Sequence, residues 1–88
     1  MGLFTEAVCS VLGSNHGSSF QIDEKNWEVN VGFTSRNNRK NAWYAWYKYD
    51  QNGKLIDYWC GMPGAVIAEI KGNQIQAELQ RRIRDSYQ

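Results

Sequence analysis

One histidine, one proline and two cysteines in 88 residues leave little material for the common catalytic and metal centres. No CxxC pair, HExxH helix, Walker A loop or GxSxG elbow occurs, so no zinc ligand set, phosphate cradle or hydrolase nucleophile is encoded by a known spacing. No run of eighteen apolar residues is present, which excludes a membrane-spanning helix. Charge of either sign is also lacking in excess. The formal net charge is +1, so composition favours neither a nucleic-acid-binding domain nor an acidic tail. The first thirteen residues carry Glu6 and no basic stretch, and the sixth residue is not Ser or Thr. Neither a signal peptide nor myristoylation is expected. The expectation is a cytoplasmic protein with both thiols reduced.

What the chain does have is aromatic surface, with four Trp, five Tyr and three Phe. Most of it falls in one stretch, residues 43–60, WYAWYKYDQNGKLIDYWC. Asn52-Gly53 between aromatic and β-branched residues predicts a β-hairpin with a two-residue type I′ turn. That turn places Asp50 opposite Leu55, Tyr49 opposite Ile56, Lys48 opposite Asp57, Tyr47 opposite Tyr58 and Trp46 opposite Trp59. Side chains alternate across a strand. One face then carries Trp43, Ala45, Tyr47, Tyr49, Ile56, Tyr58 and Cys60 and is assigned to the core. The other carries Tyr44, Trp46, Lys48, Asp50, Leu55, Asp57 and Trp59 and is assigned to solvent.

The rest of the chain supplies the layers around this hairpin. Leu3, Phe4, Ala7, Val8, Val11 and Leu12 form a helical stripe that Gly13 ends. Residues 14–19 form a loop by composition. Phe20 and Ile22 begin a strand, residues 23–26 turn it back, and Trp27, Val29, Val31 and Phe33 alternate with polar or small residues as a half-buried strand. Residues 35–41 form a polar loop with Arg36, Arg39 and Lys40. Gly61-Met62-Pro63-Gly64 stops the sheet, with Pro63 placed to open a helix. In that last helix Ala68, Gly72, Ile75, Leu79 and Ile83 share one face, while Val66, Ile67 and Ile70 point the other way. Gly72 is a natural stop, and Asn73 with Gln76 resembles a capping box. A break is therefore expected, giving helices 64–71 and 74–86. The rival is one continuous helix with Val66, Ile67 and Ile70 left to meet a partner.

Length and the absence of repeats or linkers predict a single α+β domain over residues 1–88. The expected architecture is a two-layer sandwich. A four-stranded antiparallel meander carries an N-terminal helix and a C-terminal helix, broken near Gly72, on one face. The opposite sheet face stays open to water.

Candidate sites follow from that geometry. Trp46 and Trp59, opposite each other and flanked by Tyr44, Lys48 and Leu55, make an aromatic patch of the kind that marks binding surfaces. The competing assignment is that the polar loop or the N-terminus covers the pair as core. Arg36, Arg39 and Lys40 adjoin the patch, and aromatics beside cations also suit single-stranded RNA or DNA. The bland account of those cations is a solvated loop. Arg81, Arg82 and Arg84 are explained by the negative end of a helix dipole. A catalytic reading rests on His16 with Cys9 or Cys60, or on Asp23, Glu24 and Glu28, and none of these assigns a nucleophile, base and oxyanion donor together.

Three resemblances accompany the residues. The helix–strands–helix order is loosely that of double-stranded RNA-binding domains, but the basic start of their last helix is replaced here by Pro63-Gly64-Ala65-Val66. Residues 46–59 resemble one unit of the aromatic hairpin repeats of choline-binding cell-wall modules, which need consecutive repeats and act outside the cell. Tyr58-Trp59-Cys60-Gly61-Met62-Pro63-Gly64 before an Arg-tipped helix is similar to the end of small type I anti-CRISPR proteins. That resemblance covers about a quarter of the chain and implies a compact inhibitor borne by phage or plasmid that acts by docking. The expected function is a non-enzymatic protein-binding domain with no cofactor and no metal. Its partner-binding residues would be Tyr44, Trp46, Lys48, Leu55, Trp59, Arg36, Arg39 and Lys40. The alternative is a single-stranded nucleic-acid module using the same face.

Overall fold

The computed structural model describes residues 2–13, 18–33, 43–61 and 65–86. Helix α1 (Leu3–Leu12) leads into strands β1 (Ser18–Asp23), β2 (Glu28–Phe33), β3 (Trp43–Tyr49) and β4 (Leu55–Cys60), followed by helix α2 (Ala65–Ser86). The strands form one antiparallel sheet in the order β1-β2-β3-β4. This is the α+β meander expected from the alternation of the strands, with both helices contributing to the core on one face.

The core is built from three stripes. Phe4, Ala7, Val8 and Leu12 come from α1, Val29, Val31, Ala45, Tyr47 and Tyr49 from the sheet, and Ala68, Ile75 and Leu79 from α2. Phe4 packs against Tyr49 with ring centroids 5.5 Å apart and stacks on Trp27 at 6.1 Å. Among the described residues no charged side chain is buried.

Helix α2 is continuous over 22 residues, so the expected break at Gly72 does not occur. The glycine serves close approach instead. A Cβ on Gly72 would lie 2.7 Å from Tyr47 Cε1 and 3.2 Å from Leu55 Cδ2. Two tyrosines hold the helix there. Tyr47 Oη donates to the Ala68 carbonyl at 2.5 Å, and Tyr49 Oη donates to the Gly72 carbonyl at 2.8 Å. The spacing matches because two strand residues rise about 6.7 Å and four helical residues about 6.0 Å. Gln76, offered above as part of a cap, accepts instead from the Leu55 backbone N–H at 2.8 Å.

The aromatic hairpin departs from the expected register in two places that cancel. Asn52 lies outside the positive-φ region and only Gly53 enters it, at φ 81°. Gly53 N–H donates to the Asp50 carbonyl and Asp50 N–H to the Lys54 carbonyl, both at 2.9 Å. The loop is therefore three residues, a turn followed by a left-handed glycine, and not type I′. Tyr49 pairs with Leu55, Ile56 is the extra residue of a bulge, and Lys48 regains Asp57. Tyr47–Tyr58 and Trp46–Trp59 pair as expected. Leu55 consequently joins the partly buried residues around the core, a correction to its solvent assignment, while Ile56 is exposed. Tyr58 stacks beside Tyr47 at 6.5 Å yet stays 44% exposed, because β4 is the last strand of the sheet.

The β1–β2 turn anchors α1. Trp27 belongs to that turn, not to the strand, with φ 52°, and its indole N–H donates to Glu24 at 3.2 Å. The Glu24 carboxylate also accepts from Thr5 N–H at 2.7 Å, Thr5 Oγ1–H at 2.6 Å and Phe4 N–H at 3.3 Å. Gly2, at the N-cap, has no side chain to do this, so an acid from the β1–β2 turn caps the helix. Partial burial acts to raise the Glu24 carboxyl, but these hydrogen bonds outweigh it and hold it below its ordinary range.

Two outcomes are expected. Gly72→Ala lowers stability by about 1–3 kcal/mol despite the better helix former, because overpacking against Tyr47 and Leu55 exceeds the propensity gain of about 1 kcal/mol. A rise in melting temperature would place α2 off the sheet. Glu24→Gln costs about 1 kcal/mol at pH 7 by the usual worth of a helix cap. The folded carboxyl is depressed, so this stability exists above the unfolded value near pH 4 and is lost as pH falls through the folded value. Urea titrations of both proteins should converge in acid.

Candidate functional site

The sheet face away from the helices carries three rows of residues set by the strand register. Gln21, Asn30, Trp46 and Trp59 form the middle row. Asp23, Glu28, Lys48 and Asp57 form the row at the turn end. Gly32 and Tyr44 pair on the far side of the middle row, and Gly61 N–H donates to the Tyr44 carbonyl at 2.8 Å. Among the described residues of these rows none is buried. Tyr44 is 66% and Trp59 62% exposed, and Trp46 between Asn30 and Trp59 is half-buried.

Two glycines lie on this surface. A Cβ on Gly61 would touch Trp59 Cη2 at 3.4 Å, so the indole lies over bare backbone there. Gly32 lines a shallow depression of about 430 Å³ together with Gln21, Asn30 and Tyr44. The sequence signalled the aromatics but not these hollows, since Gly61 was read only as the end of the sheet.

The charged row is partly self-paired. Lys48 Nζ lies 3.3 Å from Glu28 Oε1 and donates to the Asn26 carbonyl at 3.1 Å. Asp23 accepts from Asn26 Nδ2 at 2.9 Å and Asn26 N–H at 3.2 Å, which holds its carboxyl below the usual range, helped by Lys48. Among the described residues Asp57 has no ion-pair partner.

Of the sequence-derived site residues, Tyr44, Trp46, Lys48 and Trp59 share the open face. Leu55 does not, and Arg36, Arg39 and Lys40 lie outside the described residues. The acidic trio is dispersed: Glu24 caps α1, Asp23 closes its own turn and Glu28 pairs with Lys48. Among the described residues no group of His, Cys, Asp and Glu is placed to hold a metal ion. His16 lies outside the described residues. Cys9 is an exposed free thiol, and burial pushes the free thiol of Cys60 up, away from thiolate character. On α2, Ile70 is 50% exposed, while the side chains of Val66 and Ile67 lie outside the description. Arg82 reaches Glu6 on α1 at 3.6 Å and Glu78 at 3.1 Å, which gives it a structural use. Among the described residues no helix is long and apolar enough to cross a membrane.

Comparison with known proteins adds no relative: no protein-family model, curated protein or solved structure matches the chain.

Because Trp59 stands clear of the core, Trp59→Ala should change folding stability by less than about 1 kcal/mol, as surface substitutions do. Iodide should quench the wild-type fluorescence more than that of Trp59→Phe. Equal quenching would mean that Trp59 is covered.

Proposed function

We propose that this chain is a small non-enzymatic binding protein that docks a protein partner through its open sheet face. The observation that carries the reading is that Tyr44 and Trp59, each more than three-fifths exposed, share a face where no described residue of the strand rows is buried. Exposed Trp and Tyr held on a rigid sheet supply large contact area at small entropic cost, which is why they dominate interface hot spots. The half-buried Trp46 supports Trp59 from the paired strand. We further propose an intracellular inhibitor of the kind carried by phages or plasmids, a role supported by the resemblance of residues 58–64 noted above.

The same aromatics would suit a single-stranded nucleic acid, but the charge pattern weighs against it. Residues 18–61 hold five acids, four lysines and two arginines, a net charge of +1 that equals the chain's total. That near-neutral balance supplies none of the basic excess by which a phosphate backbone is usually bound.

The test places a photo-reactive benzoylphenylalanine at position 46, with position 70 on α2 as the comparison, in extract from the source cells. Position 46 should yield nuclease-resistant protein adducts, absent in the background of Trp59→Ala. Nuclease-sensitive adducts would establish the nucleic-acid reading, and adducts only from position 70 would move the interface to α2.

A further inference from the structure

The open face concerns one side of the sheet; its edge is a separate surface. We propose that β4 pairs antiparallel with β4 of a second copy, about a dyad at Trp59, so that two four-stranded sheets become one. β4 is the last strand, and Ile56, Asp57, Tyr58 and Trp59 along it are all exposed. The phase of its hydrogen bonds follows from Gly61 N–H, which donates to the Tyr44 carbonyl in continuation of the Trp46–Trp59 register. Bonded positions alternate in an antiparallel ladder, so Trp59 bonds to β3 while Tyr58 and Cys60 turn their N–H and C=O groups outward. Among the described residues nothing bonds to those outward groups. Nearer the hairpin tip Gln76 accepts from the Leu55 N–H, and the bulge at Ile56 also lies there, so the free stretch is the part beyond them. Natural edges are commonly blunted by Lys or Pro, and β4 contains neither. The opposite edge strand, β1, is the polar SSFQID, whereas β4 exposes Ile56, Tyr58 and Trp59.

A second copy of the chain fits this edge because the edge is self-complementary. A dyad at Trp59 sets Tyr58 opposite Cys60 of the second copy, and Cys60 opposite its Tyr58. The outward groups of these residues then meet as two reciprocally bonded pairs. Asp57, the one charge in the free stretch, faces Gly61 of the second copy. A dyad at Asp57 would instead set two carboxylates against each other, a destabilising pair. The side chains leave room for the approach. The Trp59 indole lies over Gly61, and antiparallel copies send their indoles to opposite sides of the dyad. The Tyr58 ring stacks beside Tyr47, back toward β3. A formal net charge of +1 gives two copies little mutual repulsion. The strip from residue 57 to residue 61 is only about 17 Å long. That is small beside the roughly 1,200–2,000 Å² of a stable interface, so the dimer is weak and reversible. Both open faces would lie on the same side of the joined sheet, with Trp46 and Trp59 of each copy in one row.

The test uses the purified full chain alone. Sedimentation velocity should show a monomer–dimer equilibrium between roughly 10 µM and 1 mM, the range of a small contact. The Tyr58 and Cys60 amide resonances should shift with concentration. Trp59→Lys and Trp59→Glu each set like charges against each other at the dyad and should be monomeric, while an equimolar mixture of the two should dimerise. Tyr58→Pro removes an N–H that β3 does not use and should also abolish the dimer. Should that variant lose the native spectrum, the charge pair at Trp59 decides, since Trp59 is exposed. Trp59→Cys, in a Cys9→Ser, Cys60→Ala background, should oxidise to a disulfide-linked dimer, because unbonded pairs lie about 4.5 Å apart at Cα. Asp57→Cys in that background should not. A monomer at every concentration, a dimer indifferent to the Trp59 charges, shifts centred on β1 or α2, or cross-linking at position 57 in preference to 59 would overturn the proposal. A monomeric chain that still gives protein adducts from position 46 keeps the docking face without the dyad. A dimer with the expected cross-link but no adducts keeps the dyad without the docking reading.

Discussion

Two tyrosine hydroxyls hold the layers of this domain in register. Tyr47 and Tyr49 each reach from β3 to a backbone carbonyl of α2, four residues apart. Burial keeps both phenols un-ionised far into the alkaline range, so both remain donors. Between them they determine where the helix sits, and the rest follows. Gly72 must lack a side chain because the helix is pulled close there. Gln76 comes within reach of the first amide of β4, and Ile75 and Leu79 meet the α1 stripe in the core. The aromatic strand thus spends its inward side on fixing the helix and leaves its outward side unspent.

Much of this was legible in the residues. Strict alternation in residues 28–33 and the helical stripe in residues 3–12 each identify an element by period alone, residues 43–49 are marked as a strand by their aromatic composition before a turn, and the register from Trp46–Trp59 to Lys48–Asp57 was recovered from the turn signal. What failed was local chemistry with more than one solution. Gly72 has the composition of a helix stop, but a glycine is also the residue that lets a helix touch a tyrosine ring, and only the tertiary contact chooses between them. Asn52-Gly53 fits a two-residue turn, but the Asp50 carboxylate accepts from the Asn52 and Lys54 amides and stabilises the longer loop instead.

The candidate site was legible to the same degree. Alternation placed Tyr44, Trp46, Lys48 and Trp59 on one face without knowledge of the fold. It could not place Leu55, because a single bulge residue inverts the side of everything between it and the turn. Nor could it show that Glu24 was committed to α1, since a cap supplied from another element has no sequence spacing to recognise. That commitment removes the acidic cluster from consideration as a site and leaves Asp57 as the exposed carboxylate beside the aromatics.

The cancelling pair of extra residues in the hairpin also says how this chain can change length. Gln51 lengthens the loop on one side and Ile56 bulges on the other, and the pairs before and after them already match. A chain that lost Ile56 would still set Tyr49 beside Leu55 and Lys48 beside Asp57. Insertions and deletions at this end of the sheet are therefore decoupled from its surface pattern. The aromatic face can be inherited intact while the tip of the hairpin drifts.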